Sequence, residues 1–248
     1  MSKFISNFIS TEDGYYALTT AGMILCGVLI AIFLLATALI ARRSKSADAE
    51  QKAAEKPEEK ATPKKKRLFS TKQLVFCAMA IALGFATSYV KIVTMPWGGS
   101  ITLCSMLFVA LIGYWYGPKI GLCAGFAYGL LQFLQDGGSY ILSPLQACLD
   151  YIVAFAALGC SGFLTNQKNG LIKGYVVAIL ARGLFHTIGG YLYWMDYMPE
   201  NFPASLSAIY PIAYNYSYIL AEGVITIILL CLPPVKRAMA RVKKLALE

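Results

Sequence analysis

Asp150, His186 and Asn215 lie in apolar stretches long enough to cross a bilayer, and aromatic residues accompany each of them. Tyr151 follows Asp150. His186, Gly190 and Trp194 are spaced i, i+4, i+8, which puts them on one helix face. Tyr210, Tyr214 and Tyr218 repeat that spacing beside Asn215. An ionisable group in the middle of a membrane costs about 3 kcal/mol on insertion scales, and such groups mark paths or sites for solutes. A carboxylate in a low dielectric pairs strongly with a positive charge. Aromatic faces stack on flat rings and hold cations, at about 0.5–2 kcal/mol per contact. Asn and His add donors and acceptors that read ring nitrogens or a hydroxyl. The set fits a planar, cationic heteroaromatic solute. Trp97, within Met95-Pro96-Trp97-Gly98-Gly99, adds an indole on a glycine-rich loop suited to a lid.

The elements that must carry these residues are transmembrane helices. The 248 residues are 58% hydrophobic with a mean hydropathy of +0.59, the composition of a polytopic membrane protein. Six apolar segments are expected at 71–94, 101–116, 119–135, 140–164, 171–195 and 206–232, the second and third being short. A seventh, earlier segment at 15–41 is followed at once by Arg42, Arg43 and Lys45. Residues before it have no basic leader and no cleavage site, so no cleaved signal peptide is expected. At a rise of about 1.5 Å per residue, Asp150, His186 and Asn215 all fall roughly 13–15 Å below the same surface. The expected fold is all-α and integral to the membrane. Residues 1–43 form an extra N-terminal helix, 44–70 a charged linker and 71–248 a six-helix core.

Charge settles the orientation expected. The net charge of +9 is not a nucleic-acid signal, because the basic residues flank apolar segments. Lys119, Lys168, Lys173 and the tail from Lys236 to Lys244 share one side; Asp136, Asp196 and Glu200 share the other. The basic side is cytoplasmic by the positive-inside rule, which leaves the N-terminus outside and the C-terminus inside. Lys64-Lys65-Lys66-Arg67 is a topology anchor or a site for anionic lipid headgroups. Arg182 and Glu222 are expected deeper, paired with each other and structural. Lys91 snorkels from a helix end. Ala78, Ala82 and Ala86 form a small-residue face for close helix approach, within the bundle or against another membrane protein. The seven Cys have no metal-ligand spacing and read as packing residues. No nucleotide motif, catalytic constellation or broken-helix inverted repeat is present, so neither an enzyme nor a self-powered pump is expected.

These residues resemble a known family. The Ala78-x-x-x-Ala82 helix, Pro96-Trp97-Gly98-Gly99-Ser100-Ile101-Thr102-Leu103, Leu149-Asp150-Tyr151, His186 followed by Trp194, and Tyr210 followed by Tyr214-Asn215-Tyr216-Ser217-Tyr218 are similar in order and spacing to the thiamine-specific substrate-binding subunit, or S component, of energy-coupling-factor transporters. That family is also described as proton-coupled thiamine transporters. The resemblance implies a bacterial plasma-membrane protein with six core helices and a thiamine pocket near the outer face. It implies that Asp150, Tyr151, His186, Trp194, Tyr210, Tyr214 and Asn215 line the pocket, with Trp97 in the lid. It also implies that Ala78, Ala82 and Ala86 dock on a transmembrane coupling subunit powered by two ATPases, with no cofactor in this chain. The family carries Glu where this chain has Asp150, and has no counterpart to the N-terminal helix and linker. Alternatives are an S component for another planar vitamin or a thiamine precursor, and a stand-alone proton-coupled transporter with Asp150 or His186 as relay.

Overall fold

A computed structural model describes residues 9–12, 15–18, 70–136 and 142–248. Strands β1 (Ile9–Glu12) and β2 (Tyr15–Leu18) pair antiparallel. The segment expected to be helical at 15–41 therefore opens as a strand. Its remainder, and the linker with its Lys64–Arg67 cluster, lie outside the described residues.

The core follows as α1 (Thr71–Ser88), β3 (Lys91–Thr94), β4 (Ser100–Thr102), α2 (Ser105–Tyr116), α3 (Pro118–Gln135), α4 (Pro144–Leu164), α5 (Gly170–Tyr193), α6 (Tyr210–Cys231) and α7 (Pro233–Leu247). Four of these segments, α1, α4, α5 and α6 with its preceding turn from Ala204, are long and apolar enough to cross a membrane. At about 1.5 Å per residue, the twelve residues of α2 reach only about 18 Å. That helix is the centre of the bundle instead: Met106, Val109, Ala110, Leu111 and Ile112 are all buried. Gly117, with φ 84, turns the chain from α2 into α3, and Pro118 opens α3, where its fixed φ suits a first turn.

Glycines on α3 let α4 approach to backbone contact. A Cβ on Gly125 would stand 2.4 Å from the Phe155 carbonyl oxygen, and one on Gly129 would stand 2.3 Å from that of Tyr151. Small residues permit this closeness where lipid supplies no hydrophobic drive between helices.

Three features depart from the sequence expectation. The first helix stops at Ser88, whose hydroxyl oxygen lies 2.7 Å from the Phe85 carbonyl oxygen and 2.9 Å from Gln135 Oε1. Lys91-Ile-Val-Thr then forms β3, paired antiparallel with β4; β-branched residues fit a strand better than a helix. Lys91 is thus a strand residue and not a snorkelling helix end. Second, Cys148–Val153 within α4 is wound as a π-helix. Third, the basic tail forms α7. Its Val235, Met239, Val242 and Ala246 pack on the core, Tyr116 donates to the Ala246 carbonyl at 3.1 Å, and Lys243 lies over the Tyr114 ring.

Candidate solute-binding site

A cavity of about 120 Å³ opens between α4, α5, α6 and the β3–β4 hairpin. Trp97, Asp150, Tyr151, His186, Trp194, Tyr210, Tyr214 and Asn215 all line it. The three polar levels expected from helix rise do meet: His186 Nδ1 lies 3.2 Å from Asp150 Oδ1, and Asn215 Nδ2 donates to the His186 carbonyl at 3.2 Å.

The π-helical turn explains how α4 contributes so many residues. In a regular helix Gln146 and Phe155 would point about 180° apart, nine residues at 100° each. The wider turns at 148–153 bring Gln146, Asp150, Tyr151 and Phe155 to one cavity. Such bulges recur at functional sites for this reason.

The hydrogen bonds assign the tautomer of His186. Arg182 Nε can only donate, and it lies 3.2 Å from His186 Nε2. That nitrogen must accept, so the proton sits on Nδ1 and is donated to Asp150. The Asp150 carboxylate also accepts from Gln146 Nε2 at 2.6 Å and from Trp194 Nε1 at 3.3 Å. Three uncharged donors orient the carboxylate without neutralising it. Arg182 stands one imidazole away, with its guanidinium carbon 4.2 Å from the centre of the Phe155 ring, and Lys91 also lines the cavity.

Aromatic rings close the space. Tyr197 touches both Trp97 and Trp194, with centroids 5.4 and 5.2 Å apart. Tyr210 and Tyr214 lie 5.7 Å apart. Tyr151 donates to Asp136 at 3.0 Å. Asn215 holds helices together as well as facing the cavity: its amide donates to the carbonyls of His186 and Pro211, and its oxygen accepts from Tyr218.

The expected Arg182–Glu222 pair is not formed. Both line the same cavity as Asp150. Arg182 reaches His186, while Glu222 binds Thr102, Ser105 and Met106. The error came from measuring depth along the helix axis alone. Arg182 is i−4 from His186 and Glu222 is i+4 from Tyr218, so each extends a ladder already visible in the sequence. Gln132, Gln146, Ser88 and Tyr197 went unread because they are neither charged nor deep in an apolar run. Ala78, Ala82 and Ala86 are exposed, on the face of α1 opposite the buried Cys77, Ala80 and Gly84. They do not pack inside the bundle.

Helical spans around a polar, aromatic cavity near one end define a multi-pass membrane protein that holds a small solute. Residues 74–242 match the family model described as thiamine transporter protein. The chain belongs to that family, as the sequence motifs led us to expect. It is 33% identical over 171 residues to the thiamine transporter ThiT of Bacillus subtilis, covering 64% of this chain and 85% of that protein. It is 26% identical to ThiT of Lacticaseibacillus paracasei, covering 62% and 80%. A solved structure of ThiT from Listeria monocytogenes superposes with a TM-score of 0.51 at 28% identity, covering 65% of this chain and 94% of that one.

Proposed function

We propose that this chain is the substrate-binding subunit of an energy-coupling-factor importer, and that it takes thiamine from the outer side of a bacterial plasma membrane. The observation that carries this reading is the Asp150 carboxylate, held by three neutral donors inside an aromatic cavity. A positively charged ring supplies the missing counter-charge. Trp194, Tyr210, Tyr214 and Tyr151 offer it faces and edges, His186 and Asn215 set the helix spacing, and Trp97 covers it.

The core at 71–248 is the binding domain, with the N-terminal segment at 1–43 and the linker at 44–70 joined to it. The lid end faces outside and α7 lies on the cytoplasmic side, where its basic residues meet anionic lipid headgroups. The exposed Ala78, Ala82 and Ala86 face supports docking on a transmembrane coupling subunit, because small residues admit a close partner helix. Two ATPase subunits power the cycle, since this sequence has no nucleotide motif.

Calorimetry of the purified chain against a panel of vitamins tests the ligand. Thiamine binds tightest, with quenching of tryptophan fluorescence, and Trp194→Ala weakens it by about 10–100-fold. Import into vesicles requires the coupling subunit and ATP. Uptake by this chain alone, driven by a pH gradient, would overturn the proposal in favour of a proton-coupled transporter.

A further inference from the structure

Besides His186, the charged side chains that line the cavity are Asp136, Asp150 and Glu222 against Lys91 and Arg182. Three of them are engaged within the bundle. Asp150 accepts from Gln146 and Trp194 and meets His186, Arg182 donates to His186, and Glu222 accepts from the amides of Thr102 and Met106. Asp136 stands apart. It is partly exposed, it is the C-cap of α3, and it accepts from the Tyr151 hydroxyl at 3.0 Å. No Lys or Arg nitrogen among the described residues lies within 4 Å of its carboxylate.

Helix electrostatics disfavour a carboxylate at this place, because a helix C-terminus already carries partial negative charge. The bond from Tyr151 does not require the charge either, since the side-chain carbonyl of an Asn would accept it. A residue that breaks a local rule with no structural return is expected at a functional site. Its position supplies the use. Tyr151 directly follows Asp150 in the chain and its hydroxyl reaches Asp136, so one phenol side chain lies between an inner carboxylate and an outer one on the cavity wall. Lys91 sits at the same end, where Ser88 of α1 meets Gln135 of α3. It is exposed, and its strongly hydrated ammonium moves on a long flexible stem. The carboxylate of Asp136, by contrast, is held in place by Tyr151. We propose that Asp136 is an outer capture site for cations, which draws a positively charged solute to the cavity and passes it along the Tyr151 ring to Asp150. Asp136 then sets how fast the cation enters, and Asp150 how long it stays. Neutral solutes of the same shape gain nothing from it. That the solute is thiamine rests on the reading above; the outer carboxylate does not.

Two measurements on the full chain in uncharged detergent test this. Collisional quenching of tryptophan fluorescence by the cation N-methylpyridinium, against neutral acrylamide, reads the field at the cavity through Trp97 and Trp194, which line it. Stopped-flow fluorescence with thiamine reads association and dissociation. At about 10 mM salt, where screening is weak, Asp136→Asn is expected to slow thiamine association by about threefold to tenfold and to lower cation quenching by about twofold. Acrylamide quenching and thiamine dissociation change by less than about twofold. The difference from the parent fades as salt approaches about 1 M. Asp136→Glu restores association, which loss of a purely structural contact at the end of α3 would not predict, and Lys91→Gln speeds it. Asp136→Ser serves if the Asn variant does not fold. Unchanged association or unchanged cation quenching in Asp136→Asn overturns the proposal, as does a slowing that persists in high salt or in Asp136→Glu. The stated fall in cation quenching, in a chain that binds no thiamine, upholds the outer carboxylate and removes thiamine as its solute.

Discussion

Asp150→Asn is expected to weaken thiamine binding by about 100–1000-fold while leaving the protein folded. The substitution keeps the shape of the side chain and removes its charge. It also puts an amide donor among groups that already donate: Gln146 Nε2, Trp194 Nε1 and His186 Nδ1 all point at the carboxylate. One of them loses its acceptor, and a cationic ring meets no counter-charge at this wall of the cavity. Titration calorimetry on detergent-purified protein reads the affinity, and a thermal melt confirms the fold. An affinity within fivefold of the parent would falsify the central role given to this residue. Asp150→Glu is the informative companion. Its longer side chain has little room on the α5 side, where a Cβ on Gly189 would already stand 2.8 Å from Asp150 Oδ1.

The second large effect falls on the fold. Gly125→Val is expected to abolish recovery of monodisperse protein. Its Cβ would lie 2.4 Å from the Phe155 carbonyl oxygen and 2.8 Å from the Ala156 Cα. Both neighbours are backbone, so no rotamer change relieves the clash, and α3 and α4 must separate. Overpacking of this kind costs about 1–3 kcal/mol when side chains can shift, and more when they cannot. Gly125→Ala meets the same backbone clash with its Cβ, so it too lowers the melting temperature and the yield, by less than Val with its two further methyl groups. Size-exclusion profiles and melts of the two variants separate this reading from one in which α3 and α4 merely lie near each other.

Much of the site was legible because membrane sequences make polar residues conspicuous. Asp150, His186 and Asn215 stood out against apolar neighbours, and helix rise alone put them at one depth. Their contacts in the fold follow that estimate. The hairpin was missed for a related reason: Ile92 and Val93 are apolar, so hydropathy carried the first helix through Thr94. Only the β-branched run signals the change. The π-helical stretch leaves no trace in hydropathy, because it is a shift in backbone hydrogen bonding. Arg182 and Glu222 were misassigned because depth was reckoned at Cα, whereas a long side chain reaches a full turn away. The tail was read for its charge, which hid the apolar spacing of Val235, Met239, Val242 and Ala246 that makes it a helix.

The widened turn at 148–153 makes backbone winding a determinant of binding here. Rewinding that stretch as an ordinary helix, with no residue removed, would rotate everything beyond it by about 100°. Phe155 would then swing away from the carboxylate it now accompanies, and the guanidinium lying over its ring would lose its seat. No side chain at the centre need change for recognition to fail. Selectivity in this chain is written partly as a phase.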